Sequence, residues 1–278
     1  MTSVRRKLAL ASWSAPREGN IYGTLRIHAG PAQRYIEYLR ETTGRRISIT
    51  HLVGKAVGMG LAKAPSLNGR ILWGRYKTHE TVAAAFLVAT EDGRNLAKVK
   101  IDGLDQISCT DICATLRAGA ERLHRGEDEE FNKSQGPVKL LPVWMMRPII
   151  WFTGWLTGSL GIGARPLGLE AFPFGAAVIT SVGMLGVDEG FAPPTPFARV
   201  PLYVLIGAIT DQPAAVDGEL VIRPQLTLSA TLDHRYVDGF QVATLARTIK
   251  HMLTHPWELD GLQEPPWGLE SDAVPLEG

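Results

Sequence analysis

Cysteine is nearly absent: the 278 residues hold two, Cys109 and Cys113. A single pair in a chain this long makes no disulfide framework. A structural zinc site needs about four ligands, and none cluster around this pair. The plain reading is two reduced thiols, four residues apart on one helix face, and no metal site is expected. Charge of one sign is lacking too. Against 28 Asp+Glu stand 29 Lys+Arg, a formal net charge of +1, so no basic field points to nucleic acid. The start, Met1–Lys7, is basic but has no long apolar core or cleavage site behind it. It reads as no signal peptide, and a cytoplasmic chain is expected. Internal repeats are missing as well.

One long apolar stretch is present. Val138–Ala164 carries Trp144, Ile149, Ile150, Trp151, Phe152 and Trp155, and the 17 residues between Arg147 and Arg165 are uncharged. A membrane span needs ~20 apolar residues, and Pro148, Gly154, Gly158, Gly161 and Gly163 interrupt this one. Packing on the chain's own core or on a partner subunit is the first expectation. Peripheral membrane contact, or an apolar wall for a long substrate, stays open.

Composition is otherwise that of a globular chain, with 45% hydrophobic and 21% charged residues. Tyr22–Ala29 predicts a strand. Pro31 to about Thr43 and Ile49–Ala64 predict helices. Ile71–Tyr76, Thr81–Thr90 and Leu96–Ile101 predict strands, with Glu91-Asp92-Gly93 as a tight connection. A helix is expected from about Asp111 to Arg125, capped by Ser108 or Thr110, then a surface loop over Gly126–Gly136. Ala176–Ser181 and Val200–Ile209 read as strands around a loop at Gly183–Gly190, and Val216-Asp217-Gly218 as a hairpin turn. Strands and helices do not strictly alternate, so a mixed sheet with flanking helices is expected, an α/β chain of α+β type. The acidic, Pro-rich end reads as a loose tail, placed at 263–278.

The most informative stretch is Asp233-His234-Arg235-Tyr236-Val237-Asp238-Gly239. Before it, Leu226–Leu232 alternates apolar and small polar residues, the period of a half-buried strand. After it, Val242, Leu245, Ala246, Ile249 and Met252 recur at helical spacing. His234 and Asp238 therefore sit where a strand hands over to a helix. A neutral imidazole can take a proton from a thiol or hydroxyl near pH 7, and Asp238 can orient the loop or the ring. Acyl transfer also needs a donor for the developing oxyanion. Thr180 and Ser181, at a strand end before Gly183, are candidates. From spacing alone, His234 reads equally as a structural ring and as a base, and the two hydroxyls as local backbone caps.

The stretch Asp233–Gly239 resembles the D-H-R-x-x-D-G motif of the dihydrolipoyl acyltransferase components of 2-oxo acid dehydrogenase complexes. Val178-Ile179-Thr180-Ser181-Val182-Gly183-Met184-Leu185-Gly186 resembles their T-I-(T/S)-N-x-G-x-x-G segment. Val204–Ile209 resembles A-I-L-G-x-x, Pro213–Leu220 their hairpin, and Lys55-Ala56-Val57 with Pro65-Ser66-Leu67-Asn68 their K-A-x…P-x-L-N pattern. With Val4–Ala9 resembling their opening, the likeness runs roughly from Val4 to Leu262. It implies the chloramphenicol acetyltransferase fold in a single domain, 1–262, assembled as a homotrimer with active sites between subunits. It implies coenzyme A as a substrate, His234 as general base with Asp238 its motif partner, and Thr180 as oxyanion donor across the subunit contact, with Ser181 beside it. The departures are specific. Ser181 stands where the family has asparagine. Val138–Ala164 reads as an insertion at about 138–165, and the acidic end does not resemble the apolar terminus of family cages. No lipoyl-lysine hairpin is found, so either the acyl arm comes on a lipoyl-bearing or dehydrogenase partner chain, or the acyl donor is simply an acyl-coenzyme A. Two alternatives remain: a non-catalytic structural core subunit, or a membrane-associated acyltransferase docked through 138–165.

Overall fold

The computed structural model describes residues 19–90, 95–125, 141–164, 166 and 168–268. Two expected loops, 91–93 and 126–136, fall outside them, as do the opening Val4–Ala9 and the last ten residues of the expected tail. Among the described residues a six-stranded mixed sheet is built from β1 (Asn20–His28), β4 (Ala83–Thr90), β5 (Asn95–Asp102), β6 (Ala177–Ser181), β7 (Leu202–Val216) and β8 (Glu219–Asp233), in the order β1-β8-β7-β6-β4-β5. The strands β4, β6 and β7 run parallel to one another, and the remaining pairings are antiparallel.

Four helices pack around one face: α1 (Gly30–Thr43), α2 (Ile49–Lys63), α3 (Cys109–His124) and α5 (Gly239–Thr254). Pro31 enters the first turn of α1, and Tyr35, Ile36 and Leu39 turn inward at helical spacing. Helix α2 is apolar nearly all round and buried nearly all round. Lys55 within it is 4% exposed, and its Nζ donates to the Asp105 carbonyl at 2.7 Å. Burial lowers its pKa, opposed by Cys109, Asp260 and Asp105. Ser108 caps α3, its Oγ accepting from the Asp111 N–H at 3.1 Å. A second cap comes from 151 residues away: the Asp260 carboxylate accepts from the Cys109 N–H at 2.8 Å and from the Tyr35 hydroxyl at 2.8 Å. Both cysteines are free and buried, and burial raises both thiol pKa values.

Three sequence expectations change. Ile71–Tyr76 is not one strand but a hairpin, β2 (Gly69–Leu72) and β3 (Arg75–Thr78), because Trp73 and Gly74 both take positive φ (54° and 71°) and reverse the chain. β7 and β8 are each 15 residues long and continue past the sheet as a two-stranded arm. Asp217 (φ 51°) and Gly218 (φ 84°) close that arm with a two-residue turn, as the Asp-Gly pair predicts. Finally, residues 263–268 do not hang free: Trp267 packs edge-on against Trp257 at 5.9 Å.

The apolar stretch forms α4 (Val143–Gly154), running directly into a π-helical turn, Trp155–Leu160. Its second half lies on the chain itself. A Cβ at Gly154 would meet the Phe197 carbonyl at 2.5 Å, and Arg199 donates to Ser159 Oγ at 3.0 Å. Other side chains of the stretch stay uncovered. Trp144 is 75% and Phe152 60% exposed. No helix among the described residues is long and apolar enough to cross a membrane.

Candidate active site

β8 ends at Asp233, and Asp238 begins α5, so the motif is the four-residue loop between them plus its two ends. Each side chain has a distinct task. Asp238 caps α5: its Oδ1 accepts from the Phe240 N–H at 3.0 Å, while Gln241 Oε1 accepts from the Asp238 N–H at 3.1 Å. That reciprocal pair is a capping box, and it places a carboxylate at the positive end of the helix. Asp238 thus orients the loop; its bonds go to the helix start rather than to the imidazole. Asp233 and Arg235 form a bidentate pair, with nitrogen–oxygen distances from 2.6 to 3.0 Å, and Asp233 Oδ1 also accepts the Arg235 N–H at 2.9 Å. The β2–β3 hairpin pins the other side. The Ile71 N–H donates to the Tyr236 hydroxyl at 3.2 Å, and the Tyr76 hydroxyl donates to the Arg235 carbonyl. Burial raises the Tyr236 pKa.

The His234 ring is exposed at the end of the sheet, and its Nδ1 lies 2.7 Å from the Val237 carbonyl. A carbonyl oxygen only accepts. Nδ1 therefore carries the hydrogen, and Nε2 keeps a lone pair. This is the tautomer a general base needs, set by the backbone of the same loop.

The second pair of candidates lies elsewhere. Thr180 and Ser181 end β6, and Thr180 pairs with Leu205, which pairs with Ser229. His234 is five residues beyond Ser229 and two strands across. At ~3.3 Å per residue and ~4.8 Å per strand, that is about 16 Å along the sheet and about 10 Å sideways. One chain thus brings His234 and Asp238 together, and Thr180 and Ser181 together, but not the two pairs. By strand alternation Thr180 shares with Val178 the face away from the helices, and Ser181 the opposite face.

Two motif glycines hold the β6 end in place. The Val182 N–H donates to the Ile206 carbonyl at 2.9 Å. A Cβ at Gly183 would lie 2.6 Å from the Gly207 carbonyl, and one at Gly207 would lie 1.9 Å from the Asp188 carbonyl. The loop after β6 crosses β7 backbone to backbone, and only glycine fits. β7 shifts register between Ile206 and Ile209 to admit it.

Beside the motif lies a cavity of about 200 Å³ that sequence patterns do not anticipate. Its lining includes Asp233 and Arg235, Trp151 and Ser159 of the apolar stretch, and Arg70 and Arg199. The Arg70 guanidinium stands 4.3 Å over the Phe172 ring. Of the four positive-φ non-glycine residues among the described residues, Trp73, Phe172 and Arg199 contact the apolar stretch. The Asp233/Arg235 spacing is a readable signal for the ion pair; the cavity depends on contacts no local pattern shows.

Comparison with known proteins gives a family match over part of the chain and a fold likeness over most of it. Residues 165–260 match the family described as 2-oxoacid dehydrogenases acyltransferase (catalytic domain). A probable dihydrolipoyllysine-residue succinyltransferase component of the mitochondrial 2-oxoglutarate dehydrogenase complex of Schizosaccharomyces pombe is 33% identical over 102 residues, 35% of this chain and 22% of that protein. The lipoamide acyltransferase component of the branched-chain alpha-keto acid dehydrogenase complex of Pseudomonas putida is 32% identical over 80 residues, 28% of this chain and 18% of that protein. Those matches therefore span less than a quarter of the relatives' length. The fold likeness reaches further. A probable dihydrolipoamide acetyltransferase from Listeria monocytogenes superposes with TM-score 0.66 at 15% identity, over 91% of this chain and 90% of its own. The dihydrolipoamide acetyltransferase of Azotobacter vinelandii, studied for the roles of a serine, a histidine and an asparagine in its mechanism, superposes with TM-score 0.63 at 18% identity, over 87% and 84%. The fold is that of these acyltransferase cores, as the sequence resemblance implies.

Proposed function

We infer, for a chain whose residues 165–260 match the catalytic domain of the 2-oxoacid dehydrogenase acyltransferase family, that it is an acyltransferase moving an acyl group between coenzyme A and a dihydrolipoyl-type thiol. We read residues 1–262 as one catalytic domain interrupted by the insertion at 138–165. The observation that carries the reading is the Nδ1–H to Val237 carbonyl bond. In the neutral ring it leaves the lone pair on Nε2, on an exposed residue.

The acceptor thiol gives its proton to Nε2. The resulting thiolate attacks the thioester carbonyl, and the tetrahedral intermediate forms with its charge on oxygen. The hydroxyl of Thr180 donates to that oxygen; Ser181, next in sequence, faces the opposite side of the strand. The intermediate collapses, the leaving thiolate takes the proton back from the imidazolium, and the acyl group has changed sulfur. No acyl-enzyme is required. Asp238 is a positioning residue, acting through the start of α5.

Because one chain holds the two halves about 16 Å apart along the sheet, a working site needs His234 of one copy and Thr180 of another. A homotrimer supplies this arrangement, and the acyl arm comes on a lipoyl-bearing chain of a 2-oxo acid dehydrogenase-type assembly. The test is complementation with acetyl- and succinyl-coenzyme A and dihydrolipoamide. His234→Ala is expected to abolish turnover. Thr180→Val should lower kcat by about 10²–10³-fold, the usual cost of one oxyanion donor. Mixed and reassembled, the two variants should recover part of the wild-type rate. Unchanged turnover in His234→Ala overturns the base; no turnover and no coenzyme A binding in the unaltered chain would favour a structural core subunit.

The exposed Trp144 and Phe152 of α4 favour a second role for the insertion, peripheral membrane contact by an otherwise cytoplasmic enzyme. Co-sedimentation with liposomes tests it, and a chain that stays in the supernatant removes it.

A further inference from the structure

The far end of α5 carries ligating side chains that take no part in the chemistry above. His251 and His255, one helical turn apart, stack with ring centroids 4.5 Å apart and planes 23° from parallel. Glu258 follows on the short 3-10 turn Pro256–Asp260, and its Oε2 lies 2.9 Å from His251 Nε2. One ligand atom from each of the three side chains lies within 4.8 Å of the others.

The surroundings orient these groups. His255 Nδ1 is 3.2 Å from the His251 carbonyl and 3.1 Å from Thr254 Oγ1. Donation to the carbonyl puts the hydrogen on Nδ1 and leaves Nε2 with its lone pair. Fixing a ligand histidine through its second nitrogen is how metal sites hold their rings. Trp257 stands edge-on to His255 at 5.3 Å. The Glu258 backbone is fixed by its N–H to the His255 carbonyl at 3.1 Å. It also precedes Leu259, 3% exposed, and the capping residue Asp260.

We propose that His251, His255 and Glu258 form a divalent metal site of zinc type. Zinc bonds of ~2.0–2.2 Å to nitrogen and oxygen put tetrahedral ligand atoms about 3.3 Å apart. Closing from 4.8 Å takes rotation of side chains that are exposed or half-buried. Two neutral imidazoles and one carboxylate suit a borderline cation and leave a fourth position for water; magnesium and calcium prefer oxygen throughout. The metal replaces the hydrogen between His251 and Glu258. The 16 residues of α5 put this site about 24 Å from the motif at ~1.5 Å per residue, so its role is structural. It clamps the end of α5 to the turn that carries Asp260.

The test uses the untagged chain, stripped with a chelator and titrated with zinc chloride by calorimetry. One zinc per chain is expected, with no heat from magnesium chloride and a raised Tm. His255→Ala and Glu258→Gln should each weaken binding at least about tenfold. Cobalt(II) on the unaltered chain should give the visible d–d bands of a four-coordinate site. Absence of zinc binding or of those bands in the unaltered chain overturns the proposal, whatever the variants do. So does zinc affinity that survives the double variant His251→Ala/His255→Ala, or magnesium binding equal to zinc.

Discussion

Helices α4 and α5 make an instructive pair. Both are rich in apolar residues, both lie next to the D-H-R segment or its cavity, and they bury themselves in opposite ways. In α5 the apolar residues recur on one stripe, and Leu245, Ile249, Met252 and Leu253 are all buried against the sheet and α2. In α4 they follow no stripe: only Met146 and Gly154 are buried, and large side chains point outward on several sides. α4 is the more hydrophobic of the two, yet periodicity decides what a single chain can cover. α5 is completed by its own fold. α4 leaves much of its apolar surface exposed.

The largest expected effect lies on the α5 side. Leu253, 0% exposed, should cost about 3 kcal/mol when cut to alanine, the usual sum of lost transfer and cavity energy; urea unfolding measures it. Next comes the cap that ties the C-terminal turn to α3. Asp260→Ala strands the Tyr35 hydroxyl and the Cys109 N–H, at about 2 kcal/mol, read in the same experiment. Asp260→Asn should recover part of this, because it still accepts.

A smaller effect is expected beside the insertion. His79 packs on Phe172 at 4.7 Å. Burial, then the charges of Arg70 and Lys100, lowers its pKa from 6.5 to about 4. As pH falls, the unfolded chain takes up this proton near pH 6.5, the folded one only near pH 4. The ring's contribution to stability is therefore complete above pH 6.5 and is lost as pH falls from 6.5 towards 4. For a ring still partly open to solvent, about 1 kcal/mol is expected after screening. His79→Gln should flatten the dependence of Tm on pH across that window. The smallest effect should be Phe152→Ala on α4, within about 0.5 kcal/mol for the isolated chain. A larger loss that grows with protein concentration would show that α4 is covered by another copy.

Much of the fold is legible in the sequence because it is local. The alternation in Leu226–Leu232, the Asp-Gly turn at 217–218 and the strand-to-helix change at Gly239 each depend on neighbours a few residues away. The turn at Trp73-Gly74 escapes such a reading because tryptophan seldom takes positive φ; its ring lies edge-on to Trp155 at 6.2 Å, a contact 82 residues away in the chain. Nothing near Asp260 in the sequence shows that it caps α3, since both of its donors are distant. For Asp238, spacing leaves ring and loop as equal destinations, and the capping box assigns its oxygens to α5. The His-x3-His spacing at 251 and 255 is visible in the sequence, but it signals little until the 3-10 turn brings Glu258 to it.

The distance between β6's end and the strand-to-helix loop has one more consequence. If the two halves of the site come from different copies, no chain works alone, and catalytic output depends on how much material is assembled. Diluting the enzyme below its association threshold should switch it off without unfolding it, and specific activity should climb with total protein until every copy has found its neighbours.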